Sequence, residues 1–280
     1  MRQLFAMQHG ARHLRPALAA ALAVIGVLAT IAPLAAAPAG ASAATDFSGH
    51  QRSEKTDFTD GQIIDGFFRT AFGAEFHMAG RVDRIRKYDA PVRVYAEGEG
   101  HAHRRAELAR IVADIAGRVE HLDIAMTNDP DEANVTVHLV RDRNLGKTIA
   151  TFYGEERARE IRESLDPQCL SGFRKNDRFE IERSDVILTI DNGDFVFRDC
   201  AYEELLQSLG PINDTDKVPW TMFNDDVQKG FFDVYDQYLL NILYHPAIRP
   251  GMTVPEVKAV LPQVLTDVRS YVARVNRLTR

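Results

Sequence analysis

Cysteine and tryptophan are scarce in this chain: 280 residues hold two cysteines and one tryptophan. Positive charge is also in short supply, with 34 Lys and Arg against 40 Asp and Glu and a formal net charge of −6. That balance lacks the basic footprint of nucleic-acid binding, so nucleic acid is not an expected partner. No apolar run reaches the roughly 20 residues of a spanning helix. No G-x-S-x-G elbow, Walker A loop or EF-hand pattern is present. What remains, 45% hydrophobic and 26% charged residues, is an ordinary globular mixture that argues against wholesale disorder.

Residues 1–44 read as a secretory signal peptide. Arg2, Arg12 and Arg15 lead, the uncharged stretch from Ala17 to Ala32 follows, and Ala41-Ser42-Ala43 supplies small residues for cleavage. This implies export to the periplasm or the medium, with membrane contact only through that segment if it stays attached. The leader holds no cysteine for lipid modification. The remaining 236 or so residues carry 31 basic and 40 acidic side chains, enough chain for one sizeable core. Residues 45–60 are polar and read as a flexible lead. Cys169 and Cys200 are the only thiols, and export favours their pairing as a disulfide, closing a loop of about 30 residues worth roughly 3–4 kcal/mol.

Apolar spacing predicts helices over 63–76, 101–122, 155–164, 200–209, 231–244 and 254–278, with Pro262 marking a kink or restart in the last. Strands are predicted at 92–95 and 134–140. Residues 184–191 and 194–198, joined by Asn192-Gly193, read as a β-hairpin because Asn-Gly favours a type I′ turn. The pattern predicts an α+β or α/β fold with a mixed sheet packed on helices.

The segment CAYEELLQSLG, from Cys200 to Gly210, carries the chemistry. As a helix it gathers Tyr202, Leu205, Leu206 and Leu209 on one side and Glu203, Glu204 and Gln207 on another. The plain reading of that second side is a solvated surface face. The zincin spacing, in which two histidines flank a glutamate base, falls on Glu203, Glu204 and Gln207; its extension falls on Gly210 and Asn213. The base and the glycine match, whereas all three histidine positions do not. Glutamine and asparagine offer only neutral oxygens, which suits zinc poorly. No metal and no cofactor are therefore expected. His101-x-His103 sits in a glycine-rich turn without further ligands, and His121 and His138 have no spaced partners. Trp220, Phe223, Phe231 and Phe232 read as core cover, with a ligand groove as the alternative.

CAYEELLQSLGPINDTD, FND at 223–225 and DQYLLNILYHPAIRPGM together resemble the bacterial domain-of-unknown-function family 2927, over roughly residue 76 to the C-terminus. The resemblance implies an exported protein with a zincin-like fold whose zinc ligands are replaced: a single domain over 61–280, a mixed-sheet upper part to about 210 and a helical lower part over 211–280. It also likens 236–244 to the matrixin D-x-x-x-L-x-x-L-Y segment and Met252 to the metzincin Met-turn. The expected function is a non-catalytic module that binds a peptide or cell-envelope ligand, with Glu203, Gln207, Asn213 and Asp214 as a polar network beside Glu204. The alternatives are an atypical peptidase-like hydrolase using Glu204 as general base, and a structural envelope protein.

Overall fold

A computed structural model describes residues 54–72, 83–98, 102–165, 168–211, 213–224 and 226–278. The proposed leader, His101 and the stretch 73–82 lie outside these residues. The elements in chain order are α1 (Asp60–Ala71), β1 (Val92–Gly98), α2 (Ala102–Arg118), β2 (Ile124–Met126), β3 (Val135–Val140), α3 (Asp142–Tyr153), α4 (Glu155–Leu165), β4 (Cys169–Lys175), β5 (Ile181–Thr189), α5 (Asp194–Ser208), α6 (Val234–Tyr244) and α7 (Val254–Asn276).

The five strands form one sheet in the order β2-β1-β3-β5-β4. All neighbours run parallel except β4, which pairs antiparallel with β5 at the edge. β3 is central and its residues 135–139 are buried on both faces, as parallel strands covered by helices are. Alternation along each strand then sets the two faces apart. Cys169 of β4 points towards α5. Leu170, its neighbour, points the other way and packs with Ile187 against Leu145 and Ile149 of α3 and Ala158 and Ile161 of α4. A single larger core joins the first face to α1, α2, α5, α6 and α7.

The expected hairpin at Asn192-Gly193 is not formed. Residues 194–208 are the helix α5, and the antiparallel partner of β5 is β4. The reason is topological: β5 already lies between β3 and β4, so neither of its edges is open to a returning strand. Gly193, at φ 96°, instead turns the chain into the helix. The real hairpin turn lies at 176–180, where the Asn176 side chain accepts the N–H groups of Arg178 and Glu180. Pro262 lies within a continuous α7 on its exposed side, where water can serve the carbonyl that proline leaves unbonded.

Of the polar lead at 45–60, the part from residue 54 is described, and there Phe58 is buried. α1 begins with a full capping box, Thr59 against Gln62. It then packs tightly on α6: a Cβ placed on Gly66 would stand 2.0 Å from the Tyr235 hydroxyl oxygen, and that hydroxyl donates to Gln62 O at 2.6 Å. Only glycine permits this approach.

Lys87, on the strand-like approach to β1, is buried and donates from Nζ to Leu243 O at 3.0 Å and Ile248 O at 2.8 Å, fastening the end of α6. Burial pulls its pKa down from 10.5 to about 8. Between about pH 8 and 10.5 the unfolded chain therefore holds more protons than the folded one at this site, and stability contributed by Lys87 rises with pH. The stability of the wild type relative to Lys87→Met is expected to increase by roughly 2–3 kcal/mol across that window, measured by urea denaturation at stepped pH.

Candidate functional site

α5 runs under the sheet and is buried on every side: Cys200 to Ser208 are all withdrawn from solvent. The Glu203–Glu204–Gln207 face is thus not a solvated surface face. Glu204 is 0% exposed and both its carboxylate oxygens are shut off from solvent. Three fastenings hold the helix. At its middle, the Cys169–Cys200 disulfide, with Cα atoms 5.8 Å apart, ties it to β4, as the cysteine count led us to expect. Beside it, Asp199 accepts the backbone N–H groups of Lys229 and Gly230 at 2.8 and 3.0 Å. At its end, Gly210 adopts φ 137° with its α-carbon so close to Arg86 that a Cβ would meet Arg86 O at 2.3 Å.

Gln207 is the junction. Its Nε2 donates to Asp214 Oδ1 at 2.9 Å, and its Oε1 accepts from Ser171 Oγ of β4 at 3.4 Å. One amide therefore links sheet, helix and the loop that follows. Asn213 turns elsewhere: its Nδ2 donates to Arg69 O at 2.8 Å at the end of α1. The structure brings Gln207 and Asp214 together and sets Asn213 on a different partner. The zincin positions offer a metal no imidazole, only the oxygens of Glu203, Gln207 and Asn213, a poor set for zinc, and the Asn213 side chain is turned to the end of α1.

The loop over 211–224 is fixed from its far side by α6. Asp236, fully buried, accepts from Thr221 Oγ1 at 2.5 Å and from Met222 N at 2.9 Å. Burial pushes its carboxyl pKa up, and the nearby Lys229 ammonium counters this. Lys229 is half-buried; it pairs with the Asp233 carboxylate and donates to Trp220 O. Phe223, Phe231 and Phe232 belong to the core, but Trp220 is half-exposed. Three of the four aromatics are thus core, and the fourth lies partly open. Two open clefts flank the indole. One, of about 230 Å³, is lined by Glu54, Lys55, Phe58 and Lys229 among others. The second, of about 390 Å³, includes Gln62, Asp65, Lys217 and Tyr235.

Two further constellations were not legible as such. His138 of β3 stands between Glu97 of β1, Nδ1 to Oε1 2.5 Å, and Asp185 of β5, Nε2 to Oδ1 3.0 Å, with the Phe152 ring 4.4 Å away. Its partners are distant in sequence and meet only through the parallel register. Both ring nitrogens face carboxylates, so the ring joins three strands and offers no nitrogen to a ligand. His103, Glu107 and Asp194 also lie close enough to share an ion. Arg104 already bridges Glu107 and Asp194 at 2.8 and 2.9 Å, and Arg198 pairs with Glu107, so two guanidinium groups neutralise the cluster.

These features define a mixed α/β protein built around a polar helix that is buried from Asp199 to its end. The chain belongs to the family described as Protein of unknown function (DUF2927), whose model matches residues 60–263. No curated protein and no solved structure matches it.

Replacing Gln207 by leucine removes the donor to Asp214 and the acceptor for Ser171 together. We expect Gln207→Leu to lose about 1–3 kcal/mol in urea denaturation. A change below about 0.5 kcal/mol is what an unconstrained surface position would give.

Proposed function

We propose that this protein is an exported, non-catalytic module of zincin-like layout that binds a peptide or cell-envelope ligand beside Trp220. The observation that carries the reading is the pair of clefts on either side of a half-exposed indole. The backbone beneath that indole is held by Lys229 and, through Thr221 and Met222, by Asp236. A rigid aromatic platform with acidic, basic and amide groups around it suits a ligand with mixed polarity, as peptides and envelope fragments have.

Three features support binding over hydrolysis. A general base must come within hydrogen-bond reach of its proton, whereas the Glu204 carboxylate is sealed from solvent. Gln207 and Asn213 are spent on holding the loop. The charges in the clefts are already partnered: Lys229 with Asp233, and Glu54 with Val234 N. The zincin-like layout is supported by the helix α5 leaving β5 directly, by α6 packed in the common core, and by Met252 buried after a Pro-Gly turn. Export is supported by the buried disulfide. Among the described residues no helix is long and apolar enough to cross a membrane.

Trp220 is the sole tryptophan, so intrinsic fluorescence reads the clefts directly. Titration with a mixed-sequence peptide pool and with a muropeptide digest is expected to give a saturable emission shift with one of them. Trp220→Ala is expected to weaken retention on that ligand at least tenfold while the far-UV spectrum is kept. Silence with both pools would refute binding here; peptide cleavage abolished by Glu204→Gln would replace the reading with the hydrolase.

A further inference from the structure

Residues 54–58, Glu-Lys-Thr-Asp-Phe, cross the Trp220 face as an extended arm before α1 starts. The arm is held at three points, all side-chain anchors. Glu54 Oε1 accepts the N–H of Val234 at 2.5 Å, in the first turn of α6. The Lys55 ammonium lies 4.2 Å from the centre of the Trp220 ring and 5.0 Å from that of Phe58. Phe58 is buried against Tyr235, Trp220 and Tyr238, with centroids 4.8, 5.8 and 6.4 Å away. The intervening Thr56 and Asp57 are exposed. One further bond, from Arg269 Nη2 to Phe58 O at 2.7 Å, marks where the arm ends.

Each anchor site has a matching chemistry. A helix N-terminus with the half-buried Lys229 nearby favours a carboxylate, and burial beside these groups raises the Glu54 pKa while the Val234 bond and Lys229 lower it. An indole face favours an ammonium. A ring of aromatics favours a further aromatic side chain. Phe58 belongs to the core and the arm lines one cleft, but the groove also has fastenings of its own. The floor is fixed by Lys229, Asp233 and Asp236, and α1 is capped by its own Thr59 and Gln62.

We propose that Glu54–Phe58 is a built-in occupant of an extended-peptide groove. The external ligand of this groove is a peptide with the same order: a carboxylate, an ammonium, two spacers and an aromatic side chain. This rests on the binding function proposed above and names its ligand class. The arm competes with that ligand, so free peptide binds only as far as the arm is displaced.

The test uses the full mature chain and a fluorescein-labelled peptide of sequence EKTDFT, read by anisotropy. The variant Glu54→Ala/Lys55→Ala/Phe58→Ala is expected to bind this peptide at least tenfold more tightly than the wild type. The same peptide with its Phe changed to Ala is expected to lose that gain. Equal binding to both proteins, or none to a variant that keeps its near-UV spectrum, overturns the proposal. Should the triple variant not fold, Lys55→Glu decides: it leaves Phe58 in place and is expected to bind the peptide at least threefold more tightly than the wild type, and no gain overturns the proposal. A peptide or muropeptide that shifts Trp220 emission while EKTDFT never binds would sink this inference and leave the binding function standing. Silence from all probes would sink both.

Discussion

A helix buried on all sides cannot leave its polar groups to water, and this constraint on α5 organises the molecule. Burying a carboxylate or an amide is costly unless a partner meets it. Around α5 the partners come from every layer: Ser171 from the sheet, Asp214 from the following loop, and the backbone of residues 229 and 230 at Asp199. The disulfide to β4 adds a covalent link in the same helix. Polar residues that in a surface helix would face solvent are here internal fasteners, and they are directional ones. Gln207 can satisfy both ends of its amide only with the loop in one place. Removing such a fastener frees a loop and leaves a buried group without its bond, which costs more than the bond itself contributes.

The fastened loop delivers Trp220 to the surface. Its other end is gripped by Asp236 of α6, which holds Thr221 and Met222, and by Lys229 just before that helix, which donates to the Trp220 carbonyl. An indole held at both ends of its loop is a pre-organised contact that loses little entropy on binding. The same fastenings occupy the positions that zincin spacing would assign to ligands. A zincin of this spacing would spend the positions of Glu203, Gln207 and Asn213 on a metal; here Gln207 and Asn213 are spent on architecture. Function resides in such residues, and fold alone does not decide it.

The helices were largely legible, because α2, α6 and α7 carry apolar stripes at helical spacing. The disulfide was legible from two thiols. The Gln207–Asp214 contact lay within the polar network expected around CAYEELLQSLG, because helix stop and loop length bring near-neighbours together. The solvated-face alternative for that helix fails, since two glutamates and a glutamine look like a solvated face and only tertiary packing, against β4, β5 and α2, withdraws them. The hairpin was misread because Asn-Gly is a strong local turn signal, but the free edge it requires is a property of the whole sheet. β2, with three residues, β4, with its glycine, and α3 were too short or too mixed in pattern to stand out. The Glu97–His138–Asp185 contact was beyond reach for the same reason as most strand-to-strand contacts: register between distant parallel strands is written in no local spacing.

The account turns on Gln207 fixing the loop that presents Trp220. Hydrogen–deuterium exchange by mass spectrometry, comparing the wild type with Gln207→Leu, tests this most directly. We predict faster exchange confined to peptides covering 213–224, with the sheet peptides of β3 and β5 unchanged. Unchanged protection of the loop, or a uniform loss across the chain, would contradict the account.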